Sequence, residues 1–300
     1  MLAVDRQRER GAAALRSVLL QPRIDACEVL LFDFGRDRFP PLPGSEHPAV
    51  RDIPMRVGWT IGTLRAYAIA LARAPIVAFL EEHSRAEPGW LDAILAAFNS
   101  DVDGVGGVPS LANPESAIAQ LAFLINFRPY LGIDRPVERT VLPGFNSAYR
   151  RSVLLGLSST VLESETTLDA AILRAGGRLV LDPAMRWLHT NETSIFEVIQ
   201  GLFVWARTTG SVMAAAYGWP FPRRLLRIAR TLFTPVVRLA KLLWVVRRSP
   251  EQRSLVLRQA VLFLLAEYAQ AVGIAIGLLL GPGDAPRRYL DFDLNARRGW

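Results

Sequence analysis

Short apolar runs alternate with segments of helical composition over the first 190 residues, and this alternation limits the folds open to the chain. The apolar runs are bounded by polar residues, glycine or proline, as buried strands are. Strands that alternate with helices of about 10 to 15 residues predict βαβ units around a mostly parallel sheet. The strands are predicted at residues 28–32, 76–80, 102–108 and 178–181, and the helices at residues 11–20, 61–74, 88–99 and 166–175.

The composition indicates a globular part joined to a lipid-facing part. Hydrophobic residues make up 51% of the chain, and the mean hydropathy of +0.21 is high for a freely soluble enzyme. Charged residues still make up 21%, which excludes a polytopic transporter. We therefore predict two domains, an α/β domain at residues 1–200 and a helical, membrane-associated region at residues 201–300.

Charge and cysteine content limit the cellular compartments and the classes of binding partner that suit the chain. The net charge of +7 suits an anionic membrane surface, a nucleic acid or a phosphorylated substrate. Cys27 is the only cysteine, so no intrachain disulfide can form and a reducing compartment is the simpler interpretation. The N-terminal residues contain no apolar core of signal-peptide length. We expect the globular part in the cytoplasm, at the inner face of the cell membrane.

Polar side chains follow two of the predicted strands. Asp33 ends the first of these strands, and Glu81, Glu82 and His83 follow the strand at residues 76–80. Ligands of parallel α/β sheets bind beyond the carboxyl ends of the strands, so both groups are expected at one edge of the sheet. Glu81 and His83 flank a single residue and therefore point the same way. Carboxylate and imidazole groups in this arrangement suit a divalent cation, although a solvated strand end would look similar.

A basic amphipathic helix is predicted in the last third of the chain. Its cations lie three or four residues apart along one face, except at two positions of that face, which Thr234 and Val245 occupy. Leucine and isoleucine occupy the other face. Such a helix normally lies in the interface of an anionic membrane, and Pro235 is expected to kink or split it. No pattern of stacking aromatic residues accompanies the cations, so we predict no nucleic-acid partner. The cations are Arg223, Arg227, Arg230, Arg238, Lys241 and Arg248, and the apolar residues are Leu225, Ile228, Leu232, Leu239 and Leu243.

The segment at residues 260–281 is apolar apart from Glu267 and Gln270. Its length is about that needed to cross a bilayer, but a central acidic residue costs roughly 2.5–3.5 kcal/mol on insertion scales. Gly273 and Gly277 form a GxxxG pair, which predicts close packing against a partner helix. The pattern is compatible with a membrane span and with a deeply seated hairpin.

Four further segments occur in an order that is typical of one enzyme family. Together, over roughly residues 12 to 190, they resemble the family 2 glycosyltransferases, which implies a GT-A-type sheet with flanking helices. The segments are EVLLFDFG at residues 28–35, LRAYAIALARAPIVAFLEEHSRAEPGWL at residues 64–91, GFNSAYRRSVL at residues 144–154 and ESETTLDAAILRAGGRLVLDPAMRWLH at residues 163–189.

The resemblance implies the roles of individual residues. Glu81, Glu82 and His83 stand where the family has Asp-x-Asp, so Glu81 and His83 would bind Mn²⁺ or Mg²⁺, and His189 could complete the site. Asp33, Arg65, Glu81 and Glu82 would bind the nucleotide diphosphate sugar. Glu165 would be the base that deprotonates the acceptor hydroxyl, with Glu163 as the alternative if the register shifts. An acidic residue that only stabilises a helix N-terminus would look the same.

The chain also departs from the family pattern. No first strand is visible before the helix at residues 11–20, and residues 1–4 are too short to predict one. The Gln-x-x-Arg-Trp signature of processive synthases is absent from the sequence. We expect an inverting, metal-assisted transferase that acts on a lipid-linked or cell-surface glycan precursor. The alternative is a catalytically inactive, membrane-docked relative that serves as a binding or scaffold subunit.

Overall fold

The computed structural model describes residues 1–144 and 146–298, and the chain divides into two compact units. The first comprises Met1–Ala112 and Tyr130–His189, and the second comprises Asn113–Pro129 and Thr190–Trp300. The boundary thus lies before the predicted residue 200, and a helix at Ala117–Phe127 belongs to the second unit. The side-chain amide of Gln259 donates a hydrogen bond to the carbonyl of Ala117 (3.0 Å), which helps to hold that helix there.

A mixed nine-stranded sheet forms the centre of the first unit, with the order β3-β2-β1-β4-β8-β6-β9-β5 and with β7 beside β9. The predicted α/β class is confirmed, but the sheet is less parallel than expected. Strand β8 lies antiparallel between β4 and β6, whereas β1, β2, β3 and β4 are parallel to their neighbours in that group. The strands are β1 (Leu2–Val4), β2 (Val29–Asp33), β3 (Val50–Pro54), β4 (Ile76–Leu80), β5 (Ser84–Ala86), β6 (Gly104–Leu111), β7 (Val137–Glu138), β8 (Asn146–Arg150) and β9 (Leu179–His189).

The first strand, predicted to be missing, is present. Strand β1 pairs with β2 on one side, where Leu2 is opposite Leu31, and with β4 on the other, where Leu2 is opposite Leu80. It is only three residues long and fully buried. A run this short has no periodicity that a sequence pattern can detect, so the prediction of a missing strand is wrong.

Five helices pack against this sheet. Helix α2 shows why the chain turns helical where it does, because Thr60 caps it in a capping box with Thr63. Helix α1 closes a buried apolar cluster with Leu2, Val4, Leu15 and Leu31, and α2 and α6 contribute to a second cluster around Phe79 and Tyr149. The helices are α1 (Arg8–Leu19), α2 (Ile61–Leu71), α3 (Trp90–Ala97), α5 (Arg151–Leu154) and α6 (Glu165–Arg174).

The second unit is helical. Gly273 and Gly277 lie against α7, where an added Cβ would come within 2.4 Å of the Phe203 carbonyl oxygen and 2.2 Å of that of Arg207. The predicted GxxxG partner is therefore a helix of the same chain. Pro235 lies inside a continuous helix, so it does not split α8. The helices are α4 (Ala117–Phe127), α7 (Ile195–Ala216), α8 (Phe221–Val245), α9 (Pro250–Arg258), α10 (Ala260–Leu280) and α11 (Ala285–Asn295).

Helix α10 is the one helix among the described residues that is long and apolar enough to cross a membrane, and 44% of its most apolar window is buried within the protein. Its polar residues face the protein. Arg238 of α8 donates hydrogen bonds to Glu267 (2.6 Å) and to Gln270. The structure thus explains the two polar residues as internal contacts between α8 and α10.

Candidate active site

Glu81, His83 and His189 place three potential ligand atoms at one point. His83 Nε2 is 3.1 Å from Glu81 Oε2 and 3.1 Å from His189 Nε2, and the distance from His189 Nε2 to Glu81 Oε2 is 3.4 Å. Ligand atoms about 2.1 Å from an ion and at right angles lie about 3.0 Å apart, and in a tetrahedral site about 3.4 Å apart. The three residues therefore have the spacing that a divalent cation requires.

The strand arrangement brings these three residues together. Glu81 and His83 lie in the turn between β4 and β5, and β5 pairs with β9 so that Ser84 is opposite His189. This register places the last residue of β9 beside the turn, although 106 positions separate the two histidines. The sheet topology, which the sequence pattern does not specify, completes the predicted ligand set.

The local charges suit a metal site as well. Burial alone would raise the pKa of the Glu81 carboxyl, but His83 and His189 hold that pKa well below its usual range. Two imidazole nitrogens 3.1 Å apart cannot both present lone pairs to each other unless a proton or a cation lies between them. A divalent cation at this point would satisfy both nitrogens and the carboxylate.

Glu82 has a different place from the one predicted. Its side chain is buried, with one carboxylate oxygen 3.0 Å from His83 Nδ1 and the other accepting a hydrogen bond from Arg10 (2.7 Å). It therefore contacts His83 on the side away from the ligand atoms, whereas the sequence predicted that it binds the donor. The sequence does not indicate a role for Arg10, because its partner Glu82 is 72 positions away along the chain.

Asp33 is fully buried at the carboxyl end of β2. Its carboxylate accepts two hydrogen bonds from Arg8 (2.6 and 2.9 Å), and Oδ1 also accepts one from the Gly35 backbone N–H (2.8 Å). The carboxylate therefore orients Arg8 and shapes the turn after β2, whereas the sequence predicted that it binds the donor. Asp33 is opposite Val4, the last residue of β1, so the two parallel strands end together. This agrees with the predicted position of Asp33 at the carboxyl edge of the sheet.

Arg65 is also buried inside the first unit. Its guanidinium donates to the carbonyl oxygens of Leu162 and Gly144, both at 3.0 Å, and lies over the ring of Phe79. The sequence predicted that Arg65 binds the diphosphate, whereas in the structure both hydrogen bonds go to backbone carbonyls. Because Leu162 and Gly144 belong to the two loops beside Glu165, Arg65 instead ties together the backbone around the predicted base.

The structure separates the two candidates for the base. Glu163 Oε2 accepts hydrogen bonds from Thr60 Oγ1 (2.7 Å) and from the Gly62 N–H (3.0 Å), so Glu163 caps the N-terminus of α2. An added Cβ on Gly62 would come within 2.5 Å of Glu163 Oε2 and 2.0 Å of the Ser159 carbonyl oxygen. Glu165, the first residue of α6, is half-buried and lies beside Gly144. Glu165 is the better candidate because Glu163 is committed to the cap.

A buried acid lies one helical turn beyond Glu165. Asp169 accepts hydrogen bonds from the Leu142 N–H (2.7 Å) and from the Tyr149 hydroxyl (2.8 Å). Burial raises the pKa of its carboxyl to about 7. These contacts fix α6 to β8 and to the loop before it, so Asp169 supports the helix that carries Glu165. The sequence shows Asp169 but gives no sign of these partners.

Part of the sequence matches a known protein family. Residues 12–156 match the family model of Glycosyl transferase family 2. This segment, slightly under half of the chain, is thus similar to family 2 glycosyltransferases. The matched segment includes Glu81 and His83 and ends before Glu165 and His189. A search of curated proteins gave no significant match.

Solved structures support the GT-A fold of this glycosyltransferase-like chain. A mannosyltransferase from Pyrobaculum calidifontis, in complex with GDP-Man and Mn²⁺, matches with a TM-score of 0.59 and 15% identity over 93% of this chain and 85% of that one. A mycobacterial protein matches with a TM-score of 0.50 and 14% identity over 73% and 74%. GalNAc-T7 with UDP, GalNAc and Mn²⁺ has a TM-score of 0.48 and 13% identity, and the match covers 63% of this chain and 43% of that one. At such identities the likeness shows the fold alone.

Proposed function

We propose that the chain transfers a sugar from a nucleotide diphosphate sugar to a glycan or lipid-linked acceptor, with inversion and with a divalent cation. The observation that carries the proposal is the convergence of Glu81, His83 and His189 at the edge of a GT-A sheet. The Pyrobaculum mannosyltransferase, which binds GDP-Man and Mn²⁺, supports it. Two imidazoles among the ligands favour Mn²⁺ over Mg²⁺, which prefers oxygen ligands.

The residues of the chain divide the chemistry between them. Glu81, His83 and His189 would hold the cation, which when bound offsets the charge that develops on the leaving diphosphate. Glu165 accepts the proton of the acceptor hydroxyl as that oxygen attacks the anomeric carbon and the bond to the diphosphate breaks. Arg65 and Asp169 keep the backbone around Glu165 in place through their buried hydrogen bonds.

Substitutions at the metal site and at the base test this proposal. We expect His83→Ala to lose Mn²⁺ binding in calorimetry and to lose hydrolysis of the donor sugar. Glu165→Gln is expected to keep Mn²⁺ binding and to lower turnover by about 10²- to 10⁴-fold, the usual contribution of a general base. His47→Ala, which changes the only other histidine, is the control and is expected to behave like the wild type. Unchanged turnover in both active-site variants would disprove the assignments.

One of the two observations that favoured an inactive scaffold subunit does not hold in the structure. That alternative rested on the absence of a first strand and on the Glu-Glu-His sequence, and β1 is present. Calorimetry with a set of nucleotide diphosphates, with and without Mn²⁺, distinguishes the two functions. The absence of any nucleotide binding would favour the scaffold.

We further propose that the second unit docks on the anionic cytoplasmic face of the cell membrane. Helix α8 exposes large apolar side chains and, in an adjoining sector of its surface, a band of cations. An anionic lipid surface matches both sectors at once, because the apolar side chains enter the acyl region while the cations meet the headgroups. The exposed apolar residues include Phe221, Leu225, Leu226, Leu232, Phe233, Val236, Val237 and Trp244, and the exposed cations are Arg223, Arg227, Arg230 and Lys241.

Helix α10 extends the apolar surface of α8, against which it packs. One stripe of its side chains is exposed, while Gly273 and Gly277 face α7 and Glu267 binds Arg238 of α8. With so much of its surface committed to the protein, α10 suits a position in the plane of one leaflet better than a simple span. Docking would tether the transferase to a lipid-linked acceptor. The exposed stripe consists of Val261, Leu265, Tyr268, Val272 and Leu279.

A further inference from the structure

Arg10 lies on the buried face of α1, where an apolar residue would be expected. Its side chain is only 2% exposed, and its neighbours on that face are Gly11, Ala14 and Leu15. Burying a guanidinium costs free energy unless a partner compensates for the lost hydration. A purely structural α1 would be better served by leucine, so the presence of Arg10 calls for a specific reason.

The packing of α1 brings Arg10 to the end of β4. Gly11 allows a close approach to β1, because an added Cβ would come within 2.7 Å of Val4 Cγ1. Farther along the helix, Ser17 Oγ accepts a hydrogen bond from the Ala86 N–H of β5 (2.9 Å). Helix α1 is therefore fixed to β1, which pairs with β4, and to β5, the strand that follows the turn with Glu81 and His83.

A chain of buried contacts connects Arg10 to His83. Arg10 Nη2 donates to Glu82 Oε1 at 2.7 Å, and Glu82 Oε2 lies 3.0 Å from His83 Nδ1. A carboxylate beside Nδ1 favours the tautomer that has its proton on Nδ1 and a lone pair on Nε2. Nε2 is the atom that faces Glu81 and His189.

We propose that Arg10 is a positioning residue for His83 and acts through Glu82. The inference rests on the metal site of the proposed function. Arg10 fixes the rotation of the Glu82 carboxylate and compensates for its charge, so that the second oxygen stays on His83 Nδ1. The imidazole is thereby held with Nε2 directed at the point shared with Glu81 and His189.

The affinity for Mn²⁺ alone, measured on the full chain by isothermal titration calorimetry without donor or acceptor, tests this role. We expect Arg10→Met to weaken binding about 10- to 100-fold, the usual effect of removing a residue behind a metal ligand. Arg10→Lys is expected to give a smaller loss, since it keeps the charge but not the planar group. Arg16→Met changes an exposed arginine of the same helix and is expected to bind Mn²⁺ like the wild type.

A double variant separates positioning from a general effect on folding. We expect Glu82→Gln to weaken Mn²⁺ binding, and Arg10→Met added to it to cause little further loss, because both act through one contact. An Arg10→Met protein with a lower Tm in the absence of Mn²⁺ but an affinity within about twofold of the wild type would overturn the proposal. Should Arg10→Met not fold, either wild-type affinity in Arg10→Lys or losses that add in Arg10→Lys/Glu82→Gln would overturn it. A wild-type chain that does not bind Mn²⁺ would instead disprove the metal site itself.

Discussion

At the scale of single residues, the structure shows that acids of similar appearance in the sequence have different tasks. Glu81 faces two histidines, Glu82 contacts one of them, and Glu163 caps a helix, while Glu165 begins α6 beside Gly144. Residue type and spacing predicted that Glu81 and His83 point the same way, and the resemblance to the family added His189 as a possible third ligand. The partners of Glu82 and Arg65 could not be predicted, because they lie 72 or more positions away along the chain.

Asp169 gives a prediction at this scale. Burial raises its pKa to about 7 from an unfolded value of 3.8, so the folded state binds the proton more tightly. Its contribution to stability is fully present below the unfolded pKa and is lost as the pH rises from about 4 to 7. In Asp169→Asn, we expect the free energy of unfolding to lack this contribution, which has a slope of up to about 1.4 kcal/mol per pH unit.

Urea denaturation across this pH range measures the effect of Asp169→Asn. The exposed Asp101 provides the matched control, because Asp101→Asn changes the same functional group in a solvated loop. Parallel pH profiles for the wild type and Asp169→Asn would show that folding does not raise the pKa of this carboxyl and would contradict the prediction.

At the scale of elements, the long and repetitive patterns were predictable and the short ones were not. Each of three elements extends over enough residues to be recognised: β4 as a continuous apolar run, α2 by its helical composition and α8 by its amphipathic period. Strand β1 is too short, and the antiparallel place of β8 depends on pairing with β4 and β6, which are distant in sequence. The GxxxG pair predicted a close helix contact but not that α7 supplies the partner.

The contact between α7 and α10 gives a prediction at this scale. Gly277→Leu would place side-chain atoms where an added Cβ is already 2.2 Å from the Arg207 carbonyl oxygen. We expect a loss of about 1–3 kcal/mol or more in the free energy of unfolding of the second unit, as in other overpacked sites. Val272→Leu, at an exposed position of the same helix, is expected to change it by less than about 0.5 kcal/mol. Similar urea midpoints for the two variants would argue against tight packing at Gly277.

At the scale of the whole molecule, the chain divides into a unit with a GT-A sheet and a helical unit that exposes large apolar side chains. The boundary was misplaced because α4 is separated in sequence from the helices with which it groups. A shift in composition can mark a single boundary along the chain. It cannot show that Asn113–Pro129, which lies between two segments of the first unit, belongs to the second unit. The resemblance to a known family supplied the fold, which periodicity alone would have left as a generic α/β sheet.

Binding to lipid vesicles tests the membrane proposal at this scale. We expect the chain to float with anionic vesicles, to bind neutral vesicles more weakly, and to dissociate as salt screens the cations of α8. Phe233→Glu is expected to weaken binding about 10- to 100-fold, since burial of one aromatic side chain is worth about 1.5–3 kcal/mol. Val57→Glu, at an exposed apolar residue of the first unit, is the control. Equal binding to anionic and neutral vesicles would count against the cationic band.

The cap that Glu163 forms on α2 has a consequence for how this chain can vary in evolution. Gly62 leaves no room for a side chain, because Glu163 and the Ser159 carbonyl oxygen occupy the space. A larger residue at position 62 can be inherited only together with a rebuilt loop at residues 158–164, and that loop leads directly into Glu165. Positions 62 and 163 are therefore expected to change together in lineages of this chain, and a relative with a bulky residue at 62 would need its base assigned anew.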